Sequence, residues 1–453
     1  MHKKRANGPR VQRTERGLLF ITRSLGFVVL SLIGTASLAA QPANGQAEIS
    51  AAERVDAVLQ SQAANRGLGA ALKATMRNHP ALKGKQAEVN AQSGLVDSAE
   101  AGRYPSLSSQ IQTLDTGANT ATLRLRQPLW AFGRIDTAID QAEAESVAEQ
   151  TLLLQVQREL IEQTAVAYAA IQSLSSRLAI AELNVEEHER LHERIETRQE
   201  GQLASEADVS LASSRLIRAQ GDLYRLQGEM DAALTELLRL TQIVVSIEPV
   251  VADEQLRLPG DTEALRLALD RNADLLVKRA QVEVARWTVE NTRLADTPTL
   301  YFQIDQDVLD KTSGVDRTRV GLVLEASTQG LGFATRGRTK SVEQRYEAAL
   351  FDRDATGNEI RSQLDTLLLN RALQKRLRMS QQAAVTAVEE TLASFVRQYD
   401  SGRKSWMDVL NTQREVTEVR QQLAQIDNTW QTITLRIAAL IGELDHLAGI
   451  TSQ

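Results

Sequence analysis

The chain has no cysteine among its 453 residues, and aromatic side chains make up only 4% of it. Lack of cysteine excludes a disulfide framework, a thiolate metal site and thiol chemistry. Long apolar runs are missing too. Beyond the N-terminal region, none approaches the ~20 residues that a membrane-spanning helix needs. If this protein crosses a bilayer, it does so without transmembrane helices.

The N-terminus has a different character. Lys3, Lys4, Arg5, Arg10, Arg13, Arg16 and Arg23 form a basic region, and Gly26 to Leu38 is an apolar stretch. Ser37-Leu38-Ala39-Ala40 supplies the small residues that a signal peptidase requires. Residues 1–40 are therefore expected to be a signal peptide cut after Ala39 or Ala40. A membrane anchor is the alternative, for which the apolar stretch is short. This segment holds seven of the 52 basic residues and one of the 58 acids, so the remainder carries 45 against 57, a net charge of −12. That balance argues against nucleic acid as a partner.

What is present is a repeat of about 200 residues. Ser205-Glu206-Ala207-Asp208-Val209 returns as Ser405-Trp406-Met407-Asp408-Val409. Leu216, Ala219, Leu223, Leu226, Met230, Ala233 and Leu237 step by three and four. Two hundred residues on stand Val416, Val419, Leu423, Ile426, Trp430, Ile433 and Ile437. The same heptad seam in both halves predicts a coiled-coil-like helix in each. Each half then reads alike: a helix (about 67–103, then 261–296), a β-hairpin (106–129, then 299–326), a long helix, a tip turn (198–205, then 399–405) and a returning helix. The first repeat is expected over 41–243, a linker over 244–260 packed on the outside, and the second repeat over 261–453. Helices of more than sixty residues span ~95 Å and suit a long bundle or tube, not a globule.

The hairpins alternate. Ala121, Leu123 and Leu125 share one face; Thr122, Arg124 and Arg126 share the other. Leu300, Phe302 and Ile304 likewise oppose Tyr301, Gln303 and Asp305. Strands of about ten residues fit a tilted transmembrane strand, with the charged face toward water. Periodicity alone also allows two ordinary hairpins on a soluble domain. Four strands leave open edges, however, which lipid forbids. Three chains giving four strands each would close a twelve-stranded barrel. The stretch "QPLWAFGRID" (127–136) marks the switch from strand to helix. Pro128 suits a strand end, Trp130 and Phe132 suit the membrane–water rim, Gly133 suits the turn, and Asp136 suits the first turn of the helix.

The duplication, "QPLWAFGRIDTAIDQAEAE" and the turn "YDSGRKSWMDVLN" (399–411) together resemble the TolC family of outer-membrane channels. The resemblance implies a trimer with a β-barrel in the outer membrane and a helical barrel crossing the periplasm. It implies a passive exit duct, not an enzyme, without a cofactor. Its partners would be outer-membrane lipid, a periplasmic adaptor and an inner-membrane pump or ABC transporter. The cargo would be small molecules or a type I secreted polypeptide. Asp408 falls where the family places the acid of a constriction ring, and Asn411 where a second acid stands in TolC itself. Tyr399 and Lys404 match positions that hold the tip closed, paired with Asp208 and the Ala207 backbone. Gly201, Ser205, Gly402 and Ser405 mark the tips that dock the adaptor. Gly201 lies four residues before Ser205 and Gly402 three before Ser405, which predicts one extra residue in the first turn.

Other readings of the same residues compete. Ser-x-x-Asp before an apolar run is a capping box, so Asp408 and Ser405 can serve simply to start the returning helix. His188-Glu189-Arg190-Leu191-His192 matches H-E-x-x-H, the signature of a zinc peptidase. Yet the seam Ile171, Leu174, Leu178, Ala181, Val185 continues by threes and fours to His188, His192 and Ile195. Both histidines thus fall on a helix interface, with no third ligand in view, and no metal site is expected. A periplasmic helical-hairpin adaptor is the competing class of protein. It would lack two outward-apolar hairpins at matching places.

Overall fold

The computed structural model describes residues 67–113, 119–248, 256, 258–310 and 317–450. The expected signal peptide at 1–40 and part of the 244–260 linker lie outside the described residues.

The first repeat comprises α1 (Gly67–Asn78), α2 (Pro80–Glu100), β1 (Ser106–Thr113), β2 (Asn119–Trp130), α3 (Arg134–Glu200) and α4 (Glu206–Thr241). The second comprises α5 (Asp261–Arg271), α6 (Ala273–Arg293), β3 (Thr299–Asp310), β4 (Arg317–Glu325), α7 (Phe333–Asp400) and α8 (Trp406–Leu440). A short α9 (Asp445–Ala448) follows. At 1.5 Å per residue, the 67 residues of α3 run for ~100 Å. Toward the sheet, α3 packs on α2 and α6; toward the tips, it packs on α4 and α8. The other long helix, α7, packs on α6 and α8. Each long helix therefore backs two shorter ones laid end to end.

The helices that precede the hairpins are broken, where the sequence pattern reads as continuous. At the first break Pro80 has no N–H to give, and the His79 side chain accepts from Ala81 N at 3.3 Å. At the second, the Asn272 side chain accepts from Asp274 N and Leu275 N at 2.9 and 3.2 Å. Both devices cap a new helix and end the old one.

The seams hold. Ala219, Leu226 and Leu237 are buried in the first repeat, as are Val416, Trp430 and Ile437 in the second. The main core gathers Leu72, Ile161, Tyr168, Ile171, Leu237, Leu435 and Leu444. The described part of the linker also enters it through Val245 and Leu256. Tyr168 fixes that linker, donating to Glu248 O at 2.8 Å and accepting from Glu248 N at 2.7 Å. Placing the linker on the outside thus understates it: two of its side chains are core.

The four strands of the described residues form one antiparallel sheet in the order β1-β2-β3-β4. The two repeats are joined through β2 and β3, with Leu125 opposite Ile304 and Arg124 opposite Asp305. The ladder slips between Pro128 and Trp130, where proline cannot donate.

Candidate functional site: sheet faces, rim and helical tips

Register sorts the sheet into two faces. Leu107, Leu123, Leu125, Phe302, Val320, Leu322 and Leu324 lie on one face, and all are exposed in the protomer; Leu322 is 66% exposed. A row of exposed apolar side chains of this kind marks a surface that meets a protein or a membrane. The opposite face carries Arg124, Arg126, Gln303, Asp305, Asp307, Arg319 and Glu325. Among the described residues the edges, β1 and β4, have no neighbouring strand beyond β2 and β3. Unpaired edges beside an apolar face are sites where a further sheet can pair. No helix among the described residues is long and apolar enough to cross a membrane.

At the rim, Trp130 and Phe132 stack with ring centroids 4.9 Å apart, and both are exposed. Phe132 has a φ of 51° and Gly133 of 87°. The second repeat makes the same turn with Leu331 at 55° and Gly332 at 87°. Leu331, not Phe333, therefore takes the place of Phe132, and it stands 92% exposed. A large apolar residue held in left-handed backbone is uncommon, and its occurrence in both repeats aims each side chain outward. The sequence hid this match because only the glycine is shared. Asp136, in the first turn of α3, is held by Arg103 at 2.8 Å.

At the tips the two turns are built alike. Gly201, Gln202, Leu203, Ala204 and Ser205 match Ser401, Gly402, Arg403, Lys404 and Ser405. Leu203 N donates to Arg198 O at 2.7 Å, and Arg403 N to Gln398 O at 2.8 Å. The expectation of an extra residue in the first turn is thus corrected. It came from aligning Gly201 with Gly402, whereas the left-handed position of the first turn is Gln202, at φ 58°. Gly201 itself has a φ of −77° and closes α3.

Both returning helices start with a complete capping box. Asp208 N donates to Ser205 Oγ at 3.2 Å, and Ser205 N donates to Asp208 Oδ2 at 3.1 Å. Asp408 N donates to Ser405 Oγ, and Ser405 N to Asp408 Oδ2, each at 3.2 Å. The Ser405 hydroxyl also donates to Asp408 Oδ2 at 2.8 Å. These bonds, with Lys404 nearby, hold the Asp408 carboxyl below the usual carboxylate range. Capping is therefore a role Asp408 fulfils in the protomer, and its half-exposed carboxylate remains presented at the tip. Asn411, one turn along α8, is exposed, as is Ala207 on α4.

Tyr399 and Lys404 are engaged differently from expectation. Among the described residues, no hydrogen bond joins Tyr399 to Asp208, whose Oδ2 is engaged by the Ser205 cap, although the Asp208 charge acts on the Tyr399 hydroxyl. The Tyr399 ring instead lies 5.1 Å from that of Trp406, under the Arg198 guanidinium at 4.8 Å. Burial pushes the Tyr399 hydroxyl above its ordinary pKa. Lys404 Nζ sits 4.1 Å over the Phe395 ring and 3.9 Å from Asp408 Oδ2, not on the Ala207 backbone. Trp406, which replaces Glu206 of the first tip, was not singled out by sequence. It is buried with Tyr399, Val409 and Leu410 against Leu191, Ile195 and Ala212 of the first hairpin. The tips are thus wedged together by apolar contact.

The H-E-x-x-H segment assembles no metal centre. His188 is buried in the seam, His192 pairs with Glu196 at 3.3 Å, and Glu189 is exposed. Among the described residues no group of three or more His, Cys, Asp or Glu could hold a metal.

Comparison with known proteins agrees with this geometry. The chain is 24% identical over 353 residues to the alkaline protease secretion protein AprF of Pseudomonas aeruginosa, covering 73% of this chain and 71% of that one. Its fold is that of CusC, a protein described in terms of transmembrane channel formation, with a TM-score of 0.73 and 16% identity over 83% of this chain and 91% of that chain. The outer membrane protein VceC of Vibrio cholerae matches with a TM-score of 0.69 and 17% identity, over 83% of this chain and 96% of that chain. The family description "outer membrane efflux protein" fits residues 71–241 and 264–443, both repeats from seam to seam. By that match the chain belongs to the outer membrane efflux protein family.

Proposed function

We propose that three copies of this chain form an exit duct through the outer membrane, twelve strands closing a barrel and the hairpins making a periplasmic tunnel. The observation that carries the reading is the one-faced sheet. Its apolar side is exposed, its two edges are open, and it is rooted on helices ~100 Å long. A closed ring of such sheets satisfies the edges in lipid, and the polar face then lines water. Trp130 and Phe132 with Leu331 would mark the periplasmic rim.

In this reading the tips, around Gly201, Ser205, Gly402 and Ser405, dock an adaptor, which links the duct to an energised inner-membrane pump. Three Asp408 carboxylates on the axis would favour cations, with Asn411 contributing no second charge. Tyr399, Lys404, Asp208 and Ala207 would form the gate around them. The likeness to AprF favours a polypeptide as cargo.

Chemical crosslinking of outer-membrane extracts should give a trimer, and the purified protein should conduct in planar bilayers. A soluble monomer without conductance would refute the proposal. Asp408→Ala should weaken block by divalent cations; unchanged block would remove Asp408 from the constriction.

A further inference from the structure

The polar face of the sheet holds an ordered set of charges. Arg124 Nε donates to Asp305 Oδ1 at 2.7 Å, and Gln303 Nε2 donates to Asp305 Oδ2 at 2.8 Å. Arg126 donates to Gln303 Oε1 and to Glu325 Oε2, each at 2.9 Å. Arg319 Nη1 lies 3.0 Å from Asp307 Oδ2, and Thr122 donates to Asp307 Oδ1 at 3.0 Å. Three guanidinium groups thus meet three carboxylates across β2, β3 and β4, and Arg317, opposite Asp307 at the start of β4, adds a fourth to the same face. To the same face β1 gives only Ser106, Ser108, Gln110 and Gln112.

Stability alone does not account for such a ladder. Partly exposed ion pairs contribute ~0–1 kcal/mol each. Yet the set is complete: both oxygens of Asp305 and both of Asp307 are engaged, and Asp305 is only 8% exposed on an otherwise open sheet. Along a pore wall, fixed charges decide which ions enter, and a charge paired in this way adds little preference.

We propose that Asp305 and Asp307 are specificity-determining residues that limit the positive charge of the barrel wall. They do so by compensating Arg124 and Arg319, at a level of the duct remote from Asp408 and the tips. The inference rests on the channel reading above. Without these carboxylates the wall would present uncompensated guanidinium groups and attract anions, including acidic segments of a polypeptide cargo.

The test is the reversal potential of the purified full-length protein in planar bilayers under a KCl gradient. Asp305→Asn should shift it toward the chloride potential, and Arg124→Gln toward the potassium potential. Both shifts should be clear near 0.01 M salt, where screening extends over ~30 Å, and should vanish near 1 M, where it extends over ~3 Å. The double variant Arg124→Gln/Asp305→Asn should return to the wild-type value, a compensation that a purely structural role would not produce. It carries the test alone if Asp305→Asn does not assemble: a double variant whose selectivity departs from the wild-type value would overturn the inference. Single variants that conduct normally with unchanged selectivity would overturn it as well. Absence of conductance in the wild-type protein would remove the channel reading itself, and this inference with it.

Discussion

Gln202 and Gly402 occupy the same left-handed position in the two tip turns, at φ 58° and 73°. One position has the residue that suits it and the other does not, since a Cβ in left-handed backbone costs roughly 1–2 kcal/mol. The first tip is therefore the strained one. Gln202→Gly should stabilise its turn by about 1 kcal/mol, close to a fivefold change in local opening. Amide hydrogen exchange across 197–205 reads this directly, and slower exchange is expected. Gly402→Gln should speed exchange in the second tip, and nothing lies within 4 Å of an added Cβ to contribute a clash.

Trp406 fills the space between the tips, and its indole N–H is buried without a hydrogen-bond partner among the described residues. Its contribution is therefore packing. Trp406→Ala should cost about 3–5 kcal/mol of local stability by leaving a cavity against Leu191 and Ile195. Trp406→Phe keeps a ring against Tyr399 and loses no hydrogen bond, so it should cost less than about 1.5 kcal/mol. Limited proteolysis at the tips should separate the two variants. Equal resistance would show that the wedge does not hold them.

Local patterns in this sequence carried far. The paired seams, the strand alternation and the Ser-x-x-Asp boxes each rest on residues within a few positions of one another. What escaped depends on distant partners or on backbone conformation without a fixed residue type. Arg124 and Asp305 are 181 positions apart, so alternation gave their face but not their pairing. Leu331 adopts the turn of Phe132 without sharing its side chain. Asn272-Ala273-Asp274 stands where Asn78-His79-Pro80 does in the first repeat, yet the role of Asn272 as a cap depends on the geometry of Asp274 N.

Arg158 and Asp445 are another distant pair, 287 positions apart and nearly buried at 13% and 11% side-chain exposure. Arg158 Nη2 donates to Asp445 Oδ2 at 2.7 Å, and Nη1 donates to Arg271 O. The pair ties α3 to the segment after α8, where Gly442 turns at φ 76° and a Cβ would stand 3.1 Å from the guanidinium. Asp445→Ala leaves that guanidinium buried without its counter-charge and should cost about 3–5 kcal/mol. Replacing both partners with apolar residues, as in Arg158→Met/Asp445→Leu, should cost much less. Thermal unfolding of the three proteins decides it. A double variant as unstable as the single one would mean that the bond to Arg271 O, and not the charge pair, is what matters.

His188 offers a prediction in pH. It is buried in the seam with Nδ1 lacking a partner among the described residues, and burial, with Arg215 adding to it, holds its pKa below the ordinary 6.5. The folded state thus favours neutral imidazole, while the unfolded chain takes up a proton near 6.5. The contribution to stability is complete above that value and is lost as pH falls toward the lower folded pKa. His188→Leu removes both the unsatisfied nitrogen and the titration. It should raise stability by on the order of 1 kcal/mol at pH 7.5, and its advantage should widen at pH 5.5. Thermal midpoints at the two pH values test this, and an advantage that shrinks in acid would refute it. Added zinc should leave the wild-type midpoint unchanged. A zinc-dependent rise abolished by His192→Ala would instead restore the metal reading of this segment.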